Sequence, residues 1–125
     1  MYSYYAKNPK FQPPNAVVVN KRDIIDEHVL LRKIDGDEKC HMIANSLGGS
    51  GDCENCMSCS RKMNNDMRKM ENFVKKNRDE GNHGRYLVYV DDKEYANAIT
   101  QIFRPHNKKE HATTTVIYRK QHNEL

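Results

Sequence analysis

The sequence predicts an α+β domain in which short strands surround one strong helix. Three observations carry this. Met63, Met67, Met70 and Val74, with Phe73 beside them, recur at the spacing of a helix with one buried face. Short β-branched runs stand before and after it, Ala-Val-Val-Val at 16–19 and Thr-Thr-Thr-Val-Ile-Tyr at 113–118. Strands, a Gly-rich loop, the helix and further strands follow in that order. This grouping favours segregated elements over the alternation of a parallel sheet.

Taken along the chain, residues 1–15 are polar and aromatic and end in Pro13-Pro14, which predicts an extended lead-in. Residues 1–20 are read as an N-terminal arm and residues 21–125 as a single domain. Strands are predicted at 16–19, at 28–34 ahead of an Asp35-Gly36-Asp37 turn, and at 40–44. Gly48-Gly49-Ser50-Gly51-Asp52 predicts a flexible loop. The helix spans 62–77, with Gly81 just beyond its end. Strands at 85–90, 99–103 and 113–118 complete the chain, with Tyr86 and Tyr89 on opposite faces of the first.

Composition bounds the function without naming it. One domain of ordinary size fits in 125 residues, and a hydrophobic share of 37% allows a modest core. Mean hydropathy is -0.97. Lys and Arg number 21 against 17 Asp and Glu, a net charge of +4, which permits an anionic partner without demanding one. Apolar runs such as 16–19 are only a few residues long, so a membrane-spanning helix is excluded and no membrane partner is expected. Met1-Tyr2-Ser3-Tyr4-Tyr5 lacks the basic start and apolar stretch of a secretory signal. Localisation stays open between an exported domain and a soluble intracellular protein.

Four Cys are present, and three of them fall at 53, 56 and 59. Cys53-x-x-Cys56-x-x-Cys59 has the gaps of thiolate metal sites, and Cys40 would complete a tetrahedral structural Zn²⁺. Disulfides and free thiols are the other two readings. Were His41 to replace Cys40 in such a set, its imidazole would be consumed.

Residues 38–72 carry the chemistry. A single His41 ends a short strand, a glycine loop follows, and the helix then offers amide, guanidinium and carboxylate groups. Asn64 and Glu71 are seven residues apart, so they lie within about 20° of one another around the helix, with Arg68 between them. The methionine stripe faces about a quarter-turn away. One edge of the helix is thus buried while its neighbour presents Asn64, Arg68 and Glu71 to a cleft. Such a set suits phosphodiester hydrolysis. A neutral imidazole activates water, a hydrated divalent cation stabilises developing charge, and a cationic side chain steadies the phosphate.

Within this stretch Glu38-Lys39-Cys40-His41 stands where Asp-Arg-Gly-His would be, and Met42-Ile43-Ala44 where Leu-Ile-Ala would be. Leu47-Gly48-Gly49-Ser50-Gly51 matches a Gly-Gly loop, Asn55 the Asn of an Asn-Leu-Val segment, and Met63-Asn64 a Leu-Asn that opens the helix. Met70-Glu71-Asn72 matches the helix motif. In these motifs, over about a third of the chain, the sequence resembles the DNA/RNA non-specific endonuclease family, which includes bacterial toxin nuclease domains. That resemblance implies a ββα-metal (His-Me finger) core at about 38–78, a small antiparallel sheet packed on one main helix.

It further implies a metal-dependent endonuclease acting on DNA and/or RNA, with His41 as general base and Asn64 as ligand of a single hydrated Mg²⁺ or Mn²⁺. The Asn64–Glu71 interval is one residue shorter than the family's, and the adjacent Asn65 is held as a fallback ligand. Glu71 would hold a water of that ion, and Lys39 and Arg68 would contact phosphate. An immunity or inhibitor protein is the implied partner. Lys39 keeps the charge of the family's Arg without its bidentate fork, and Cys40 adds a side chain where the family has Gly. The competing reading is a non-catalytic, zinc-stabilised nucleic-acid or protein-binding module on a decayed nuclease scaffold. The remaining histidines, His28, His83, His106, His111 and His122, are read as solvated.

Overall fold

In the computed structural model, residues 35–49, 51, 55–91 and 95–119 are described in full, and 2–7 and 16–18 by their backbone. The long element is α1 (Arg61–Asp79). It begins where Ser60 caps it, the Ser60 Oγ accepting a hydrogen bond from the Met63 amide at 3.1 Å. It ends at Glu80, and Gly81 then takes φ 83°, a left-handed conformation that closes the helix cheaply only without a Cβ. Lys76 and Arg78 in the last turn complement the helix dipole. Met63, Met67, Met70 and Val74 are buried, as their spacing predicts.

This stripe packs on a five-stranded antiparallel sheet of β1 (Tyr2–Lys7), β2 (Ala16–Val18), β5 (Gly84–Val90), β6 (Ala98–Pro105) and β7 (Thr113–Tyr118), ordered β2-β1-β5-β6-β7. Alternation sends Tyr86, Val88 and Val90 of β5 and Ile99, Gln101 and Phe103 of β6 into the core, while Tyr89 is half-buried on the other face. Phe73 lies at the core's edge, its ring meeting Phe103 edge-on at 6.1 Å. The lead-in at 2–7 is a strand paired along its whole length with β5.

A separate two-stranded hairpin joins β3 (Glu38–His41) to β4 (Cys56–Cys59). The strand predicted at 40–44 thus starts earlier and stops at His41. Beyond it the Met42 amide donates to the Asn55 carbonyl at 2.8 Å, and the Asn55 side chain binds both backbone groups of Ile43. These bonds turn the chain out of the ladder. The loop predicted to be flexible is packed at its start: Asn45–Leu47 form a 3₁₀ turn, and Gly48 and Gly49 are buried. A Cβ at Gly49 would stand 1.8 Å from the Ile43 carbonyl oxygen, so only glycine fits. The strand predicted at 28–34 lies outside the described residues.

The cysteines correct the zinc reading. Cys40 pairs with Met57 across the hairpin, which puts Cys59 two positions along on the same face. Their Cα atoms are 5.9 Å apart and the two form a disulfide, so the four-thiolate set of Cys40, Cys53, Cys56 and Cys59 does not assemble. Cys56 is buried, and Cys53 lies outside the described residues. Among the described residues no three His, Cys, Asp or Glu side chains are grouped to hold a metal.

The hairpin's base is fixed to the large sheet. Arg119, just past β7, donates to both Asp37 carboxylate oxygens at 2.7 and 2.9 Å. Ser58 Oγ donates to the same carboxylate at 2.6 Å, and the Arg119 Nε to the Ala96 carbonyl at 2.9 Å. No helix among the described residues is long and apolar enough to cross a membrane.

The disulfide closes a loop with a sequence separation of 19, so replacing both cysteines (Cys40→Ala with Cys59→Ala) is expected to cost about 3 kcal/mol in urea unfolding. Dithiothreitol should lower the wild-type midpoint and leave that of the double variant unmoved. A wild type indifferent to reductant would contradict the pairing.

Candidate active site

His41 is the last residue of β3, and the Asn55 clamp that ends the strand also fixes the peptide immediately beyond it. Across from it, the flank of α1 presents Asn64, Arg68 and Glu71. These four line one open cavity of about 530 Å³ together with Ala44, Asn45 and Gly51. The helical arithmetic that placed Asn64, Arg68 and Glu71 on one edge therefore holds, and His41 faces that edge.

Charge and hydrogen bonding distinguish the groups. Asn64 Nδ2 donates one of its two hydrogens to Glu38 Oε1 at 3.0 Å, and Oδ1 is the atom of that amide able to ligate a cation. The other Glu38 oxygen accepts from Arg61 Nε at 3.1 Å. These bonds, Asn64's first and then Arg61's, hold the Glu38 carboxyl below the usual range. Glu71 behaves in the opposite way. Burial pushes its carboxyl up to about 7, against the opposing pull of Lys75 and Arg68.

The other predicted residues are placed as follows. Lys39 is half-buried two residues before His41, on the same side of β3, and is not among the residues lining the cavity. Asn65 is exposed and about 100° around the helix from Asn64, away from the cavity. Arg68 is exposed at the rim. Cys59 sits in the disulfide, so a Cys₃His set of Cys53, Cys56, Cys59 and His41 does not form. Two contributors escaped the sequence reading. Glu38, matched only as a motif position, orients Asn64. Asn45 enters the cavity from a loop, and no pattern in the sequence marks it.

A short antiparallel hairpin whose first strand ends in histidine, set against a helix offering an amide and a carboxylate to the same cavity, is the ββα core of metal-dependent nucleases. The DNA/RNA non-specific endonuclease family model matches residues 25–119, and the chain belongs to that family. Nuclease function, a nucleic-acid substrate and a general dependence on divalent metal follow from membership. No curated protein matches the chain.

The oxygen donors suit such an ion. Asn64 Oδ1 and a desolvated Glu71 carboxylate form a hard-oxygen pair, appropriate to Mg²⁺ or Mn²⁺. Because the folded Glu71 pKa lies above its ordinary 4.5, its contribution to stability is complete below pH 4.5 and is lost as pH rises through about 7. In chelator, wild-type protein should therefore lose melting temperature across that window relative to Glu71→Gln, and a divalent cation should restore it. Parallel wild-type and variant profiles would contradict this.

Proposed function

We propose that the chain is a Mg²⁺- or Mn²⁺-dependent endonuclease with little sequence preference, hydrolysing phosphodiester bonds of DNA or RNA. The observation that carries this is the convergence of His41, Asn64, Arg68 and Glu71 on one cavity. His41, as neutral imidazole, takes the proton of the water that attacks phosphorus. Asn64 and Glu71 would hold the cation, which when bound supplies positive charge to the phosphate and its leaving oxygen. Glu38 turns the Asn64 amide so that its oxygen, not its nitrogen, serves that purpose. Arg68 engages a phosphate from the rim, and Lys39 adds positive charge behind His41.

Engagement of Cys59 in the disulfide supports this reading over the zinc-stabilised binding module, since it leaves His41 free of a thiolate set. The same disulfide supports action in an oxidising compartment, where such bonds persist, and hence export. A nuclease indifferent to sequence endangers the cell that makes it, which supports an immunity or inhibitor protein as partner.

Purified protein given plasmid DNA or RNA with Mg²⁺ or Mn²⁺ is expected to degrade at least one of them. His41→Ala should lower the rate by about 10²- to 10⁴-fold, the usual contribution of a general base. A folded wild type inert with both ions, or a fully active His41→Ala, would overturn the proposal.

A further inference from the structure

β6 alternates Ile99, Gln101 and Phe103 toward the core, and Gln101 is 0% exposed. A primary amide in the centre of an apolar core is costly unless its donors and acceptor are met. Leu or Met would fill nearly the same space at no such cost. Gln101 meets the requirement by joining four elements. Its Nε2 donates to the Met67 carbonyl of α1 at 3.1 Å and to the Tyr86 hydroxyl of β5 at 2.8 Å. Its Oε1 accepts from Thr115 Oγ1 of β7 at 3.0 Å.

The point of attachment on α1 is what matters. Met67 lies three residues after Asn64 and four before Glu71. In an α-helix its carbonyl is the one that accepts the Glu71 amide, so Gln101 occupies the second lone pair of the bond that seats Glu71. The side chains packed around this turn, Met63, Met67 and Met70, are unbranched and adaptable and specify depth and rotation poorly. A directed hydrogen bond from the sheet specifies both. Tyr86, tethered by the same amide, is kept un-ionised by its burial and, secondly, by its electrostatic interaction with Glu71.

We infer that Gln101 is a positioning residue for the nuclease site, holding the turn of α1 that carries Asn64 and Glu71 at a fixed depth opposite His41. This rests on the function proposed above. The His41 hairpin is closed on itself by its disulfide and fastened to the end of the large sheet by Arg119, so the helix turn must be held at a matching depth on that sheet for their groups to meet. Catalytic geometry tolerates errors of only about 0.5 Å, well within what a slackened helix allows.

The test uses Gln101→Met, with Gln101→Leu as a second apolar variant should the first fold poorly. Val90→Ala, a core truncation on β5 opposite Ile99 and outside the hydrogen-bonded set, controls for lost stability. Amide hydrogen exchange and nuclease kinetics are read on the same proteins. In Gln101→Met the Glu71 amide should exchange about 10-fold faster relative to the Val74 amide, and kcat at saturating Mg²⁺ should fall by about 10- to 100-fold, with KM for DNA within about twofold of wild type. Val90→Ala should speed both amides alike and leave kcat within about twofold. Glu71 exchange that tracks Val74 in the Gln101 variants, or a kcat within about twofold of wild type, would overturn the positioning role. A wild type that cleaves nothing would sink the nuclease reading instead, and the exchange comparison would still decide whether Gln101 seats this turn.

Discussion

Two strands of four residues each cannot hold a hairpin together in water, yet His41 sits at the end of one of them. Everything proposed for this protein depends on how that hairpin is fastened. The disulfide ties the residue before His41 to the residue before the helix cap. Asp37, shared between Arg119 and Ser58, fastens the hairpin's base to the end of the large sheet. Arg119 and Asp37 keep only 15% and 2% of their side-chain surface exposed. Removing one partner would therefore strand a buried charge, a far larger penalty than breaking a surface pair. Asn55 then fixes the loop that leaves His41.

These fastenings also set where the helix begins. Cys59 is followed directly by Ser60, whose hydroxyl caps α1, and Asn64 lies one turn further on. The bond from Asn64 to Glu38 returns across the gap to β3, closing a ring of hairpin, cap, helix turn and hairpin again. Within this ring the polar groups differ in how well they are satisfied. Glu38 has a donor on each carboxylate oxygen and stays readily ionised, whereas Glu71 is desolvated and resists ionisation. That asymmetry is what a cation site needs: one carboxylate to orient a ligand, and another whose charge awaits a positive partner.

The helix and the site edge were legible in the sequence because a helix has a single period. Methionines at 63, 67 and 70 with Val74 mark the buried stripe, and the same angle places Asn64, Arg68 and Glu71 on the adjoining edge. His41 was legible only through its neighbours in the family motif. β4 was not, because Cys-Met-Ser-Cys has no β-branched residue and exists as a strand through its backbone pairing with β3 and a bridge from Ser58 to Tyr95. Cysteine spacing suggested a metal, but partner choice is set by cross-strand register, which spacing does not reveal. Gln101 left a fainter trace, a polar residue in phase with Ile99 and Phe103 on a core-facing strand. Asp37 and Arg119, 82 residues apart, left none.

The central claim is that His41 and Asn64, from separate elements, serve one reaction centre. A double-mutant cycle with His41→Ala and Asn64→Ala, measured as kcat/KM on DNA with Mg²⁺ at matched folding, tests it most directly. Groups that act as one unit lose most of their effect together, so the double variant should be little worse than the poorer single variant. Losses that simply multiply would show two independent contributions and contradict the account.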